Sequence, residues 1–133
     1  MRWYFICFVF LPLFVSAQYN TWTKLNDVGM GKRERATGCS IGSMGYVCGG
    51  MDTAEVIHKD LWAYDPQNDT WSQKADLPGS ARRDAISFVI NNYAFVGSGM
   101  DSVSGPTGTK LKDFWRYNPT TNSWAAVADF PGA

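Results

Sequence analysis

From residue 36 onward the chain is built of short runs of apolar, aromatic and small residues, four to six long, divided by turn-forming residues. None of these runs reaches the length of an ordinary helix, and their β-branched and aromatic content suits half-buried strands. The first run is Ala36 to Ile41, and a second reads Gly45 to Gly49. Between them stand Gly42 and Ser43, a pair that fits a two-residue hairpin turn. A longer loop leads to a third run, Leu61 to Tyr64, which ends in Asp65-Pro66. Asx followed by Pro starts a type I turn, because the proline ring fixes φ near about −65°. Asn68-Asp69 completes the bend, a fourth strand holds Trp71, and Leu77-Pro78-Gly79 then breaks the chain.

The whole pattern returns once. Ala85 to Ile90, the turn Asn91-Asn92, Ala94 to Ser98, Phe114 to Tyr117, Asn118-Pro119 and the strand around Trp124 stand in the same order. Gly50-Met51-Asp52 recurs 49 residues on as Gly99-Met100-Asp101, and Asp60-Leu61-Trp62 recurs 53 residues on as Asp113-Phe114-Trp115. The offset changes only between Asp101 and Lys112, so one loop insertion of four residues accounts for the difference. Four short strands per unit of about 50 residues is the arithmetic of a propeller blade.

Gly49-Gly50, Tyr64 and Trp71 at these separations resemble the Kelch motif, and Gly99, Tyr117 and Trp124 repeat it with Ser98 in place of one glycine. The resemblance covers residues 22 to 132 and implies an all-β chain: a Kelch-type β-propeller with two four-stranded blades plus one extra N-terminal strand of an incomplete ring. Residues 32–80 form the first repeat and 81–133 the second, while 18–31 hold a strand, Thr21 to Lys24, that would close the last blade. A ring of six or seven such blades takes roughly 300–350 residues, so the expectation is a fragment whose partners include the remaining blades of the same propeller. A short chain that closes by assembling as a trimer is the competing expectation. In either case Trp62, Tyr64, Trp71 and their counterparts are expected to be packing surface between blades.

Residues 1–17 read as a secretory signal. Arg2 precedes an apolar run of 13 residues, Trp3 to Val15, shorter than the roughly 20 of a membrane-spanning helix. Val15-Ser16-Ala17 supplies the small residues of a cleavage site after Ala17. The expected location is therefore secreted, periplasmic or in the cell envelope, with no membrane span after cleavage. Twelve basic and twelve acidic residues leave no polybasic footprint, which argues against nucleic acid as a partner. Cys39 and Cys48 remain in the mature chain, and the hairpin register makes them diagonal neighbours about 7–8 Å apart. That is beyond the usual disulfide span of about 4.4–6.8 Å, so two buried thiols are expected. Asn68-Asp69-Thr70 is an N-glycosylation sequon if the source is eukaryotic.

Chemistry-bearing residues are few. The single histidine, His58, has no second ligand or nucleophile beside it in the sequence, and no metal or cofactor is expected. The resemblance implies that ligands meet the rim loops, here 51–59 and 100–112, and the mouth of the central channel. Arg33 and Arg82 occupy equivalent places before the innermost strands, with Arg83 beside the second, and they are candidates for gripping carboxylates or hydroxyl-rich ligands. The competing expectation, and the favoured one, is inter-blade salt bridges with Asp76 or Asp129. Asp52 and Asp101 are candidates for a cation or a sugar hydroxyl, or else caps of their own turns. The leading function is a protein- or glycan-binding module. Its alternative is a carbohydrate-active enzyme, since the family includes galactose-oxidase-like copper enzymes and sialic-acid mutarotases. A copper site would need ligands beyond His58, whereas a mutarotase could use the channel-mouth arginines.

Overall fold

A computed structural model describes residues 22–102 and 108–131. The signal segment and its cleavage site lie outside the described residues, and no helix among those described is long and apolar enough to cross a membrane. Eight strands follow in chain order: β1 (Thr37–Ile41), β2 (Met44–Met51), β3 (Ile57–Asp65), β4 (Thr70–Lys74), β5 (Ile86–Ile90), β6 (Tyr93–Gly97), β7 (Phe114–Asn118) and β8 (Ser123–Val127). They form two antiparallel four-stranded sheets, each in simple sequential order.

The turns are those the sequence chemistry calls for. Gly42 takes φ 59°, and Asn91 and Asn92 take φ 50° and 63°, the left-handed values that a tight hairpin demands. Asp65 Oδ1 accepts the Gln67 N–H and Asn118 Oδ1 accepts the Thr120 N–H, so each Asx-Pro bend is held by its own side chain. In the first sheet β3 starts at Ile57, four residues earlier than the apolar run suggests, because Gly50 and Met51 extend the ladder to His58 and Ile57. Residues 57–59 of the expected rim loop are therefore strand, and the open loop narrows to 52–56.

The doubled glycine marks the place where one backbone crosses another. Gly50 and Gly99 both sit at φ 90°, and a Cβ there would lie 2.6 Å from Glu34 O or 2.5 Å from Arg83 O. Only glycine fits that approach. The preceding position is less exclusive: Gly49 has φ 66° and Ser98 has φ 59°. Serine is tolerated there at the cost of left-handed strain, about 1–2 kcal/mol.

The core lies between the two sheets. Ile41, Tyr46, Cys48, Leu61 and Ala63 of the first sheet meet Ala94, Val96 and Tyr117 of the second, with Leu77 of the linker closed in among them. Trp115 and Trp124 pack against the edge of this cluster, as expected for aromatics that serve as inter-blade surface. Polar links cross the same joint: Thr37 Oγ1 lies 2.8 Å from Ser87 Oγ, Gly50 N–H donates to Arg82 O, and Arg82 N–H donates to His58 O.

Each linker is pinned to the sheet that follows it. Asn122 Oδ1 accepts the Ala75 N–H at 2.9 Å, and Trp124 Nε1 donates to Ala75 O at 2.8 Å. One repeat earlier, Asp69 accepts the Asn26 N–H at 3.1 Å and Trp71 Nε1 donates to Asn26 O at 3.2 Å. Residues 25–31 are thus seated as a linker. Residues 22–24, the described part of the expected strand before them, make no ladder with either sheet and Trp22 is fully exposed; the last blade that this strand is expected to close is not among these two sheets. A lone strand has no hydrogen-bonding neighbour within these two sheets, and without one its backbone has no reason to stay extended.

Candidate functional site

The candidate site is the rim where the innermost strands begin and the β2–β3 and β6–β7 loops end. Arg33 and Arg82 stand at its base, and neither is available to a ligand. Arg33 Nη1 and Nη2 grip the Asp60 carboxylate at 2.8 and 3.1 Å, and Nη1 also donates to Gly49 O. Arg82 repeats this against Asp113 at 2.9 and 2.7 Å, adding Ser98 O and Ser80 O. The Arg33 side chain is 3% exposed and that of Arg82 is 0% exposed. Trp62 Nε1 and Trp115 Nε1 donate to the same two carboxylates at 2.8 and 2.6 Å.

Each sheet therefore contains a buried Arg–Asp–Trp brace that ties its inner-strand approach to its third strand. The expected partners, Asp76 and Asp129, are replaced by Asp60 and Asp113, and the pairs lie within a sheet rather than between sheets. Two buried guanidinium groups need carboxylates at fork distance, and only the third strand brings one there. Both acids were visible in the sequence as repeated Asp-x-Trp triplets that keep step with the repeated arginines. Burial pushes these carboxyls up. The hydrogen bonds from arginine and tryptophan, with the arginine charge, outweigh it and hold both Asp60 and Asp113 below the usual range.

Arg83 is also withdrawn. Its side chain is 4% exposed, Nε donates to Ser102 O, and Nη1 pairs with Asp84. Asp84 pairs in turn with Arg35 of the preceding repeat at 3.3 Å, the only one of these ion pairs that spans the two sheets. Asp52 and Asp101 turn out to be caps. Asp52 Oδ1 accepts the Ala54 and Val56 N–H groups, and Asp101 Oδ1 accepts the Thr109 N–H across its loop. His58 Nε2 lies 2.9 Å from Asp52 Oδ2; the hydrogen bond from His58, with those from Val56 and Ala54, lowers the Asp52 carboxyl. Of the five predicted ligand residues, Arg33, Arg82 and Arg83 are thus tied up in buried pairs, while Asp52 and Asp101 cap their loops and stay partly or fully exposed.

Beside the first β2–β3 loop a shallow cleft of about 430 Å³ faces solvent, lined by Lys32, Glu34, Asp52, Thr53 and Glu55 with Arg33 and Met51 at its base. Lys32, Glu34, Thr53 and Glu55 are exposed. The matching loop of the second sheet is described only at residues 100–102 and 108–112. Among the described residues no group of three or more His, Cys, Asp or Glu side chains is placed to hold a metal ion. Cys39 stands opposite Tyr46 and Cys48 opposite Thr37, the diagonal arrangement expected, and both thiols are free. Burial drives the Cys48 thiol up to about 12, helped by the Asp60 charge.

The sequence profile described as the Kelch motif matches residues 32–78, the span from Lys32 through the first brace to Pro78. The chain belongs to the Kelch-repeat family. Its Kelch repeats are similar to Kelch-like protein 25 of Xenopus tropicalis, 33% identical over 100 residues, covering 72% of this chain and 17% of that protein. A second relative is N-acetylneuraminate epimerase of Yersinia enterocolitica, 33% identical over 66 residues, covering 48% of this chain and 17% of the epimerase. The solved structure of YjhT superposes with a TM-score of 0.72 at 21% identity, over 86% of this chain and 44% of that one. The chain thus spans about a sixth of the length of these curated relatives, and its two sheets are blades of a Kelch-type β-propeller.

Proposed function

We propose that this chain forms two blades of a secreted or cell-envelope Kelch propeller that binds a protein partner, or a glycan displayed on one, through its rim loops. The observation that carries the reading is the fate of the arginines. The three predicted arginines are committed to holding the blades in shape, so recognition falls to the exposed loop 52–56, which Asp52 caps, and to Lys32 and Glu34 beside it. Loops on a rigid sheet scaffold are where binding residues concentrate. A shallow cleft with both charges on its walls suits a polar surface better than an enclosed small molecule. The apolar run and small-residue site at 1–17 support export.

The test is capture of envelope proteins, and a glycan array, with the full-length protein and with a Lys32→Glu, Thr53→Arg, Glu55→Lys rim variant. A specific ligand that the rim variant loses is expected. Binding that survives the variant, or no ligand in either screen, refutes the proposal. The epimerase relative supports a second reading, an enzyme acting on the anomeric centre of an acidic sugar. That reading can no longer use Arg33 or Arg82, whose guanidinium groups are closed in. NMR of anomer exchange with the full-length protein decides it, and unaccelerated exchange removes it.

A further inference from the structure

The two blades close their rims differently. In the second, Arg83 folds down and its Nε donates to Ser102 O, while Arg82 Nε donates to Ser80 O at 3.1 Å. The equivalents 49 residues earlier are Glu34 with Thr53, and Arg33 with Gly31. A carboxylate has no hydrogen to give a carbonyl, so Glu34 cannot make the contact that Arg83 makes, and it stays exposed. Gly31 is drawn into a tight turn instead, at φ 73° with its N–H on Val28 O. Neither closure of the second blade is open to the first, and both fall at the cleft beside the β2–β3 loop.

Two independent features remain in that cleft. The first is a spare donor. Both Nη atoms of Arg33 hold Asp60, but its Nε–H is buried with no acceptor among the described residues, and Arg33 lies at the cleft base. Buried N–H groups are nearly always paired, so this one points to an acceptor supplied from outside. The second is the charge of the walls. Glu34 and Glu55 are exposed, and neither stands in an ion pair among the described residues. Asp52 adds a partly exposed carboxylate. With Arg33 neutralised by Asp60, three carboxylates face the single ammonium of Lys32.

We propose that the cleft takes an extended basic segment of the partner protein, with a lysine or arginine side chain paired to Glu34 or Glu55 and a main-chain carbonyl oxygen accepting the Arg33 Nε–H. The Arg33–Asp60 fork is untouched, since the partner uses only the N–H that the fork leaves over. The preferred charge is the reverse of the one that the arginines suggest from sequence. An acidic segment would set its carboxylates against Glu34, Asp52 and Glu55, and like charges brought together across an interface are costly. The inference rests on recognition at the rim and narrows it to one partner chemistry.

The test reads the full-length protein against an array of capped decapeptides of graded net charge, then follows the Arg33 Nε–H signal by NMR with the best binder. Basic peptides should bind at least tenfold tighter than acidic ones. Glu34→Lys combined with Glu55→Lys should abolish that preference. Asp76→Lys, a charge reversal at an exposed site outside the cleft, should leave it intact. The Arg33 Nε–H signal should move downfield as it gains an acceptor. Neutral or acidic peptides held at the rim, or a glycan held there with no peptide bound, overturn this inference and leave rim recognition standing. An equal loss with Asp76→Lys, or an unmoved Arg33 signal, also overturns it. No ligand of any kind removes both readings.

Discussion

Replacing Asp113 with alanine tests the brace directly. The substitution leaves Arg82, fully buried, with its charge facing a cavity, and it removes the acceptor of Trp115 Nε1. Breaking a buried ion pair on one side costs about 3–5 kcal/mol. The Asp113 carboxylate is 31% exposed, so water partly replaces it and the lower end, about 3 kcal/mol, applies. That is a large share of the roughly 5–15 kcal/mol that holds a domain folded. Urea unfolding followed by tryptophan fluorescence reads the loss. Replacing both partners, Arg82→Met with Asp113→Leu, should recover most of it, since no charge is then stranded.

The same carboxylate gives the measurement a pH signature. Its folded value is depressed, so its contribution to stability is present above the unfolded value of about 3.9 and is lost as pH falls through the folded one. The gap between the parent protein and Asp113→Ala should therefore be widest near neutrality and shrink below about pH 4. A loss under 1 kcal/mol at pH 7, or a gap that does not change with acid, would show that the pair is not a buried brace.

Three further outcomes follow from the packing and backbone geometry. Leu77→Ala should cost about 2–5 kcal/mol and Phe130→Ala almost nothing by the same urea assay, because Leu77 is sealed between blades while Phe130 is 58% exposed. Gly99→Ala should abolish cooperative melting, and Ser98→Gly should raise stability by about 1 kcal/mol by relieving a left-handed residue, both read by thermal scans. Cys39 and Cys48 should resist iodoacetamide at pH 8 in the folded chain and react on adding denaturant, since burial raises both thiols. Peptide mapping reads each one.

The repeat, the strand order, the turn residues and the diagonal cysteines were all legible in the residues alone. Each depends on spacing or on local backbone chemistry: a glycine or asparagine at a hairpin turn acts through its own φ, whatever the rest of the molecule does. The extended start of β3 was not legible, because Ile57 to Asp60 is drawn into the ladder by Gly50 and Met51 rather than by its own pattern. Nor were the acids that the rim arginines hold. Arg33 and Arg82 read as ligand grips or, in the favoured expectation, as inter-blade salt bridges to Asp76 or Asp129, and neither reading names Asp60 or Asp113.

Asp60 and Asp113 lie 27 and 31 residues away along the chain from the arginines they hold, and only pleating and register put fork against carboxylate. A charge declares its sign in the sequence, but its availability depends on what surrounds it in space. Which aromatic face would be covered was likewise a tertiary matter. The same repeat position is sealed at Leu77 and open at Phe130, since burial belongs to the neighbour that stands across the joint and not to the residue itself.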